Sequence, residues 1–131
     1  MDDTAILKRA RDVMETEIQG LHVAQQALDQ TFVQATRMML ETLEKGGKII
    51  CTGVGKNLPI AEKISAKLAS TGSTSVVMNP MQAMHGDLGM IAEDDIVLAL
   101  SFSGESDEII KLIPAVRRLG VRIISMVGNT A

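Results

Sequence analysis

The stretch "CTGVGKN", residues 51–57, follows the apolar run "KIIC" and precedes a segment in which Ile60, Ala61, Ile64 and Leu68 recur at helical spacing. The hydrophobic period therefore changes from that of a strand to that of a helix across one turn, and two glycines, a lysine and an asparagine fill that turn. Residues 48–54 read as a strand and residues 58–68 as a helix. Upstream, "KGGK" is a stop signal that closes a helical pattern over residues 30–43, with Phe32, Val33, Met38, Met39 and Leu43 on it. Before that, Ile6, Ala10, Val13, Met14, Ile18, Leu21, Ala24 and Leu28 fall mostly three or four apart, so residues 4–28 predict a long amphipathic helix.

Downstream the alternation repeats: a strand at 74–78, a short helical stretch at 81–84, a strand at 95–100, a helix at 105–119 and a strand at 121–127. Strands alternating with helices predict an α/β fold with a parallel sheet, and right-handed crossovers put helices on both of its faces. The runs "DIVLAL" and "RIISMV" are nearly continuous in apolar residues, which suits strands buried on both sides. Two helices thus precede a three-layer arrangement of four strands, with no linker, repeat or low-complexity tract.

At 131 residues with 46% hydrophobic content, the chain has the size and the apolar material of one domain. Aromatic residues make up only 2%, with no Trp or Tyr, so nine Met and the aliphatic residues must fill the core and stacking on nucleic-acid bases has few partners. A net charge of −3 opposes binding to a phosphate backbone. One cysteine excludes an internal disulfide, and Cys51 sits in a strand as a small buried thiol. No segment approaches about 18 continuous apolar residues, and the start "MDDTAILKR" is not a secretory signal. The expectation is a cytoplasmic protein with neither nucleic acid nor membrane as partner.

In an open parallel sheet, ligands bind at the carboxyl ends of the strands, where helix amino termini present free N–H groups. The turns there hold Gly53, Val54, Gly55, Lys56 and Asn57 after the first strand, "MHGD" ending at Asp87 after the second, and Ser101 to Ser106 after the third. The first turn is not a Walker A loop, because Ile50 stands where that motif needs glycine and Asn57 where it needs Ser or Thr. Nor is it a dinucleotide fingerprint, since Leu58 replaces the third glycine and Asn79 the acidic residue. No cofactor is called for. The third turn is more telling: hydroxyls at Ser101, Ser103 and Ser106 surround Gly104 where a strand enters a helix, so O–H and backbone N–H groups can surround a phosphate without a cationic patch. Helix capping alone needs only one serine. No metal cluster is visible, since His85 and Asp87 do not make a site by themselves.

The stretches "GVGKN", "ASTGS", "MHGDLGM" and "SFSGESDEI" resemble the sugar isomerase (SIS) domain, and within it the bacterial arabinose-5-phosphate isomerase group, over roughly residues 45–128. The resemblance implies a flavodoxin-like fold, a small sugar-phosphate substrate, and a homodimer or homotetramer. It also implies interconversion of D-ribulose 5-phosphate and D-arabinose 5-phosphate, which feeds the Kdo sugar of lipopolysaccharide. By that resemblance Ser101, Ser103, Gly104, Glu105 and Ser106 cradle the phosphate. Gly53, Gly55 and Asn57 approach the substrate, and Lys56, His85 and Glu108 are the catalytic candidates. Asn57 departs from the serine usual after that lysine. The family further implies a fifth strand, closing helices and often a pair of CBS domains, so the chain is expected to be a single, truncated SIS domain, inactive as it stands.

Isomerisation of this kind moves a proton between adjacent carbons through an enediolate, which needs a base and a group that stabilises the oxyanion. His85 or Glu108 could be the base, and Lys56 could stabilise the charge. Two other readings remain: a non-catalytic sugar-phosphate sensor, which would need the serine loop but neither His85 nor Glu108, and an assembly module built on the amino-terminal helices.

Overall fold

The strand entering the opening turn, β1 (Ile49–Gly53), is buried along its whole length, as its mostly apolar residues require of a central strand. The structure, a computed structural model, describes residues 2–128. β1 is preceded by α1 (Asp3–Gln26) and α2 (Gln30–Glu44) and followed by α3 (Asn57–Ser70), β2 (Ser75–Met78), α4 (Pro80–Ala83), a 3-10 turn at Asp87–Met90, β3 (Ile96–Ser101), α5 (Asp107–Arg118) and β4 (Arg122–Val127). The chain divides into two compact units, one ending at Gln34 and the other starting at Ala35.

In the first unit Asp2 caps α1 by accepting the Ala5 N–H at 2.7 Å, and Lys8 pairs with Asp12 one turn on. None of the α1 residues is buried: Ile6, Val13, Ile18 and Leu21 are 44–70% exposed. At the break before α2, Asp29 accepts both the N–H and the hydroxyl of Thr31. Those bonds hold the Asp29 carboxyl below its ordinary range.

The second unit is a four-stranded, wholly parallel sheet of order β2-β1-β3-β4. That order is the first four strands of the flavodoxin-like series. Alternate residues feed two cores. Ile49 and Cys51 of β1, with Ile96, Leu98 and Leu100 of β3, pack with Ala61, Ile64 and Leu68 of α3 and with Met38, Met39 and Leu43 of α2. Ile50, Val97 and Ala99 face the other way, onto Ala83, Ile91 and the α5 residues Ile109, Leu112 and Val116. The result is the expected three-layer sandwich. Each fully buried Ile contributes roughly 1.5–3 kcal/mol.

Polar staples tie the layers. Arg122 at the start of β4 donates to the Glu41 carboxylate (3.0 Å), the Met38 carbonyl (3.3 Å) and the Thr42 hydroxyl (3.4 Å), which holds α2 on its face of the sheet. Asp95 is buried just before β3 and accepts from the Lys48 ammonium, the Lys48 N–H and the Ala92 N–H. Burial pushes its carboxyl up, but the Lys48 and Ala92 hydrogen bonds outweigh that and leave it below the ordinary value.

Element ends lie within one or two residues of the sequence reading, and three differences have a local structural reason. Asp95 stands before β3 as this staple rather than inside it. Asp87–Met90 forms a 3-10 turn that the sequence reading did not set apart from the rest of the β2–β3 connection. α5 starts at Asp107 and not at residue 105, because Ser106 is extended (φ −64°, ψ 118°).

Candidate functional site

The strand order reverses at β1: the chain leaves it for β2 on one side and returns to β3 on the other. The crevice beyond the carboxyl ends of β1 and β3 is therefore the switch point at which such sheets take ligands. Register brings the two ends level, with Gly53 beside Leu100. The turns carrying Gly53, Gly55, Lys56 and Asn57 and those carrying Ser101 to Ser106 are thus neighbours across that crevice.

On the β1 side, Gly53 is buried against the start of α3. A Cβ there would lie 2.9 Å from both the carbonyl carbon and the oxygen of Asn57. The glycine lets the start of α3 lie close against the strand end. Gly55 has φ +59°, a left-handed turn that favours glycine. Lys56 follows as the residue entering α3, exposed, with its side chain not used for capping. Asn57 is half-buried.

On the β3 side the hydroxyls are already organised. The buried Ser101 Oγ accepts the Gly104 N–H at 3.0 Å and lies 3.1 Å from Ser106 Oγ, while Ser103 Oγ accepts the Glu105 N–H at 3.1 Å. A hydroxyl whose oxygen accepts from the backbone still has its proton to give. Ser103 can donate outward, and the Ser101–Ser106 pair uses one of its two protons internally and keeps the other. Gly104 turns the chain with φ +72°. Ser106 stands at the cap position of α5 but makes no side-chain cap bond, so the first N–H groups of the helix keep their donor capacity for a ligand. Glu105, Asp107 and Glu108 surround this start; Glu105 and Asp107 are exposed and Glu108 is half-buried.

The β2–β3 connection supplies His85. Asn79 caps α4 through the Met81 N–H (3.0 Å), and Pro80 at the first helical position is buried. His85 lies two residues beyond α4, exposed, with its N–H on the Gln82 carbonyl at 2.9 Å. α4 packs against α5, Ala83 and Ile109 sharing one core cluster. An open depression of about 510 Å³ beside it is lined by Met81, Gln82, His85 and Asp87. Its lining includes neither Lys56 nor the serines. Gln82 carried no sequence signal, whereas Phe102, an apolar residue between two serines, could have been singled out. Cys51 is buried, and burial pushes its thiol up. Among the described residues no group of three His, Cys, Asp or Glu could hold a metal ion, and no described helix is long and apolar enough to cross a membrane.

A profile of the SIS domain matches residues 42–131. The chain belongs to the SIS domain family. This SIS domain is 47% identical over 98 residues to the arabinose 5-phosphate isomerase KdsD of Pseudomonas aeruginosa, which covers 75% of the chain and 29% of that protein. It is 42% identical over 119 residues to KdsD of Salmonella typhi, covering 91% of the chain and 35% of that protein. An Escherichia coli protein solved in complex with A5P superposes with a TM-score of 0.89 at 32% identity, over 97% of the chain and 66% of that structure. The chain thus spans about a third of the length of the curated relatives it matches.

Proposed function

We propose that this SIS domain binds a pentose 5-phosphate in the β1–β3 crevice and, as part of a full-length enzyme, interconverts D-ribulose 5-phosphate and D-arabinose 5-phosphate. The observation that carries the reading is the serine loop: acceptor-engaged hydroxyls with protons to donate, next to a helix start that no side chain caps, at the sheet's switch point. Likeness to proteins named arabinose 5-phosphate isomerase, and to a structure solved with A5P, supports the choice of substrate. In this reading Ser101, Ser103, Gly104, Glu105 and Ser106 hold the phosphate, and Gly53, Gly55 and Asn57 shape the opposite wall. A base, His85 or Glu108, takes the C1 proton of the ketose; the enediolate forms with its negative charge near Lys56, and protonation at C2 gives the aldose. The domain would work in the cytoplasm, supplying a precursor of lipopolysaccharide sugar, and would associate through the apolar stripe of α1. We propose a single SIS domain over the whole chain, the two helices included.

The His85 depression is lined by none of the loop serines, which favours a second reading, a sugar-phosphate sensor without chemistry. Turnover of D-arabinose 5-phosphate by a full-length version of the protein, followed by proton NMR, distinguishes the two. The isomerase reading expects ribulose 5-phosphate to accumulate, and expects His85→Ala to slow it by roughly 10²-fold or more with phosphate affinity nearly intact. Tight binding with no turnover would favour the sensor.

A further inference from the structure

Phe102 stands between Ser101 and Ser103 and is 80% exposed, an unusual place for a ring in a polar loop. Its carbonyl accepts the Gly128 N–H at 3.0 Å, which extends the β3–β4 ladder one step past the Ser101–Val127 pair. A Cβ built on Gly128 would lie 2.7 and 2.9 Å from the ring atoms Cδ2 and Cε2 of Phe102, and 3.0 Å from its carbonyl oxygen. The ring therefore occupies the space that any side chain at residue 128 would need. The loop is held at two points, by Ser101 Oγ on the Gly104 N–H and by the Phe102 carbonyl on Gly128. Ser103 hangs between them.

We propose that Gly128 is a positioning residue for the serine loop: by leaving room for the Phe102 ring and carbonyl it lets the loop lie against the end of β4, which sets where Ser103, Gly104 and Glu105 face the crevice. A methyl group at residue 128 crowds both the ring and the Phe102 carbonyl oxygen, 3.0 Å away; the exposed ring can turn, whereas the carbonyl is backbone, and its shift is passed through the chain to Ser103 and its contact with the Glu105 N–H. The consequence for ligand affinity rests on the sugar-phosphate reading; the loop displacement itself does not.

The test is Gly128→Ala, alone and combined with Phe102→Ala, in the whole chain, with arabinose 5-phosphate as the probe. Gly128→Ala should weaken binding by about tenfold or more, since small misplacements of a positioned group are costly, while the thermal midpoint holds and amide exchange at Gly104 and Glu105 quickens. Removing the ring relieves its part of the crowding, so the double variant should recover part of the way toward the affinity and exchange rates of Phe102→Ala alone. A merely structural glycine would instead lower the midpoint and leave affinity per folded molecule unchanged. Unaltered affinity and exchange in Gly128→Ala, or a double variant no better than the single one, would overturn the proposal. If the parent chain binds no arabinose 5-phosphate, the functional reading fails, and amide exchange alone decides the role of Gly128.

Discussion

Gly53 is tight for a reason that composition hides. Its neighbour at 2.9 Å is the Asn57 backbone, which cannot swing aside as a side-chain tip would. Gly53→Ala should therefore cost about 1–3 kcal/mol, the usual penalty for overpacking a close contact, measured as a lower urea midpoint at unchanged slope. A variant as stable as the parent would show that α3 shifts freely. The sequence marked this glycine as a place of close approach and could not say what approaches, because a missing Cβ records a constraint and not its owner. The serines were legible as a cluster: the sequence showed three hydroxyls around Gly104 where a strand enters a helix. Their present hydrogen bonds were not, since rotamers depend on where the Gly104 and Glu105 N–H groups lie in space.

Among the elements, the long periodic ones were legible to within a few residues, because α1, α2, α3 and α5 each carry an apolar stripe and β1 and β3 are mostly apolar runs bounded by turn residues. The short pieces were harder. The 3-10 turn at Asp87–Met90 spans too few residues to show a period, and the start of α5 depends on an extended Ser106 that no local propensity dictates. Asp95 illustrates the same limit: its sequence neighbours suggest a strand start, but its role comes from Lys48, 47 residues away. That pairing has a pH signature. Because the folded carboxyl lies below its ordinary value, its contribution is fully present above the unfolded pKa of about 3.9 and fades as pH falls through the lower folded value. Asp95→Asn should cost about 1–3 kcal/mol near neutral pH, a hydrogen bond to a charged group being lost. The gap to the parent should narrow as acid protonates Asp95. A gap that stays constant down to acid pH would remove the charge from this account.

For the whole molecule, α1 leaves Ile6, Val13, Ile18 and Leu21 exposed, and apolar residues repeated along one helix suit burial against another copy. Sedimentation should find an oligomer, and Val13→Asp with Leu21→Asp should shift it toward monomer without unfolding the sheet. A well-folded monomer at tens of micromolar would sink the association. The central claim is that the serine loop holds the phosphate of a sugar. Calorimetric titration of D-arabinose 5-phosphate into the parent and into the Ser103→Ala, Ser106→Ala double variant addresses it most directly. Each hydroxyl bond to a charged group is worth about 1.5–3 kcal/mol, so losing two should weaken binding by about 3–6 kcal/mol with folding barely changed. Equal affinity in the two proteins, or no binding to either, would contradict the account.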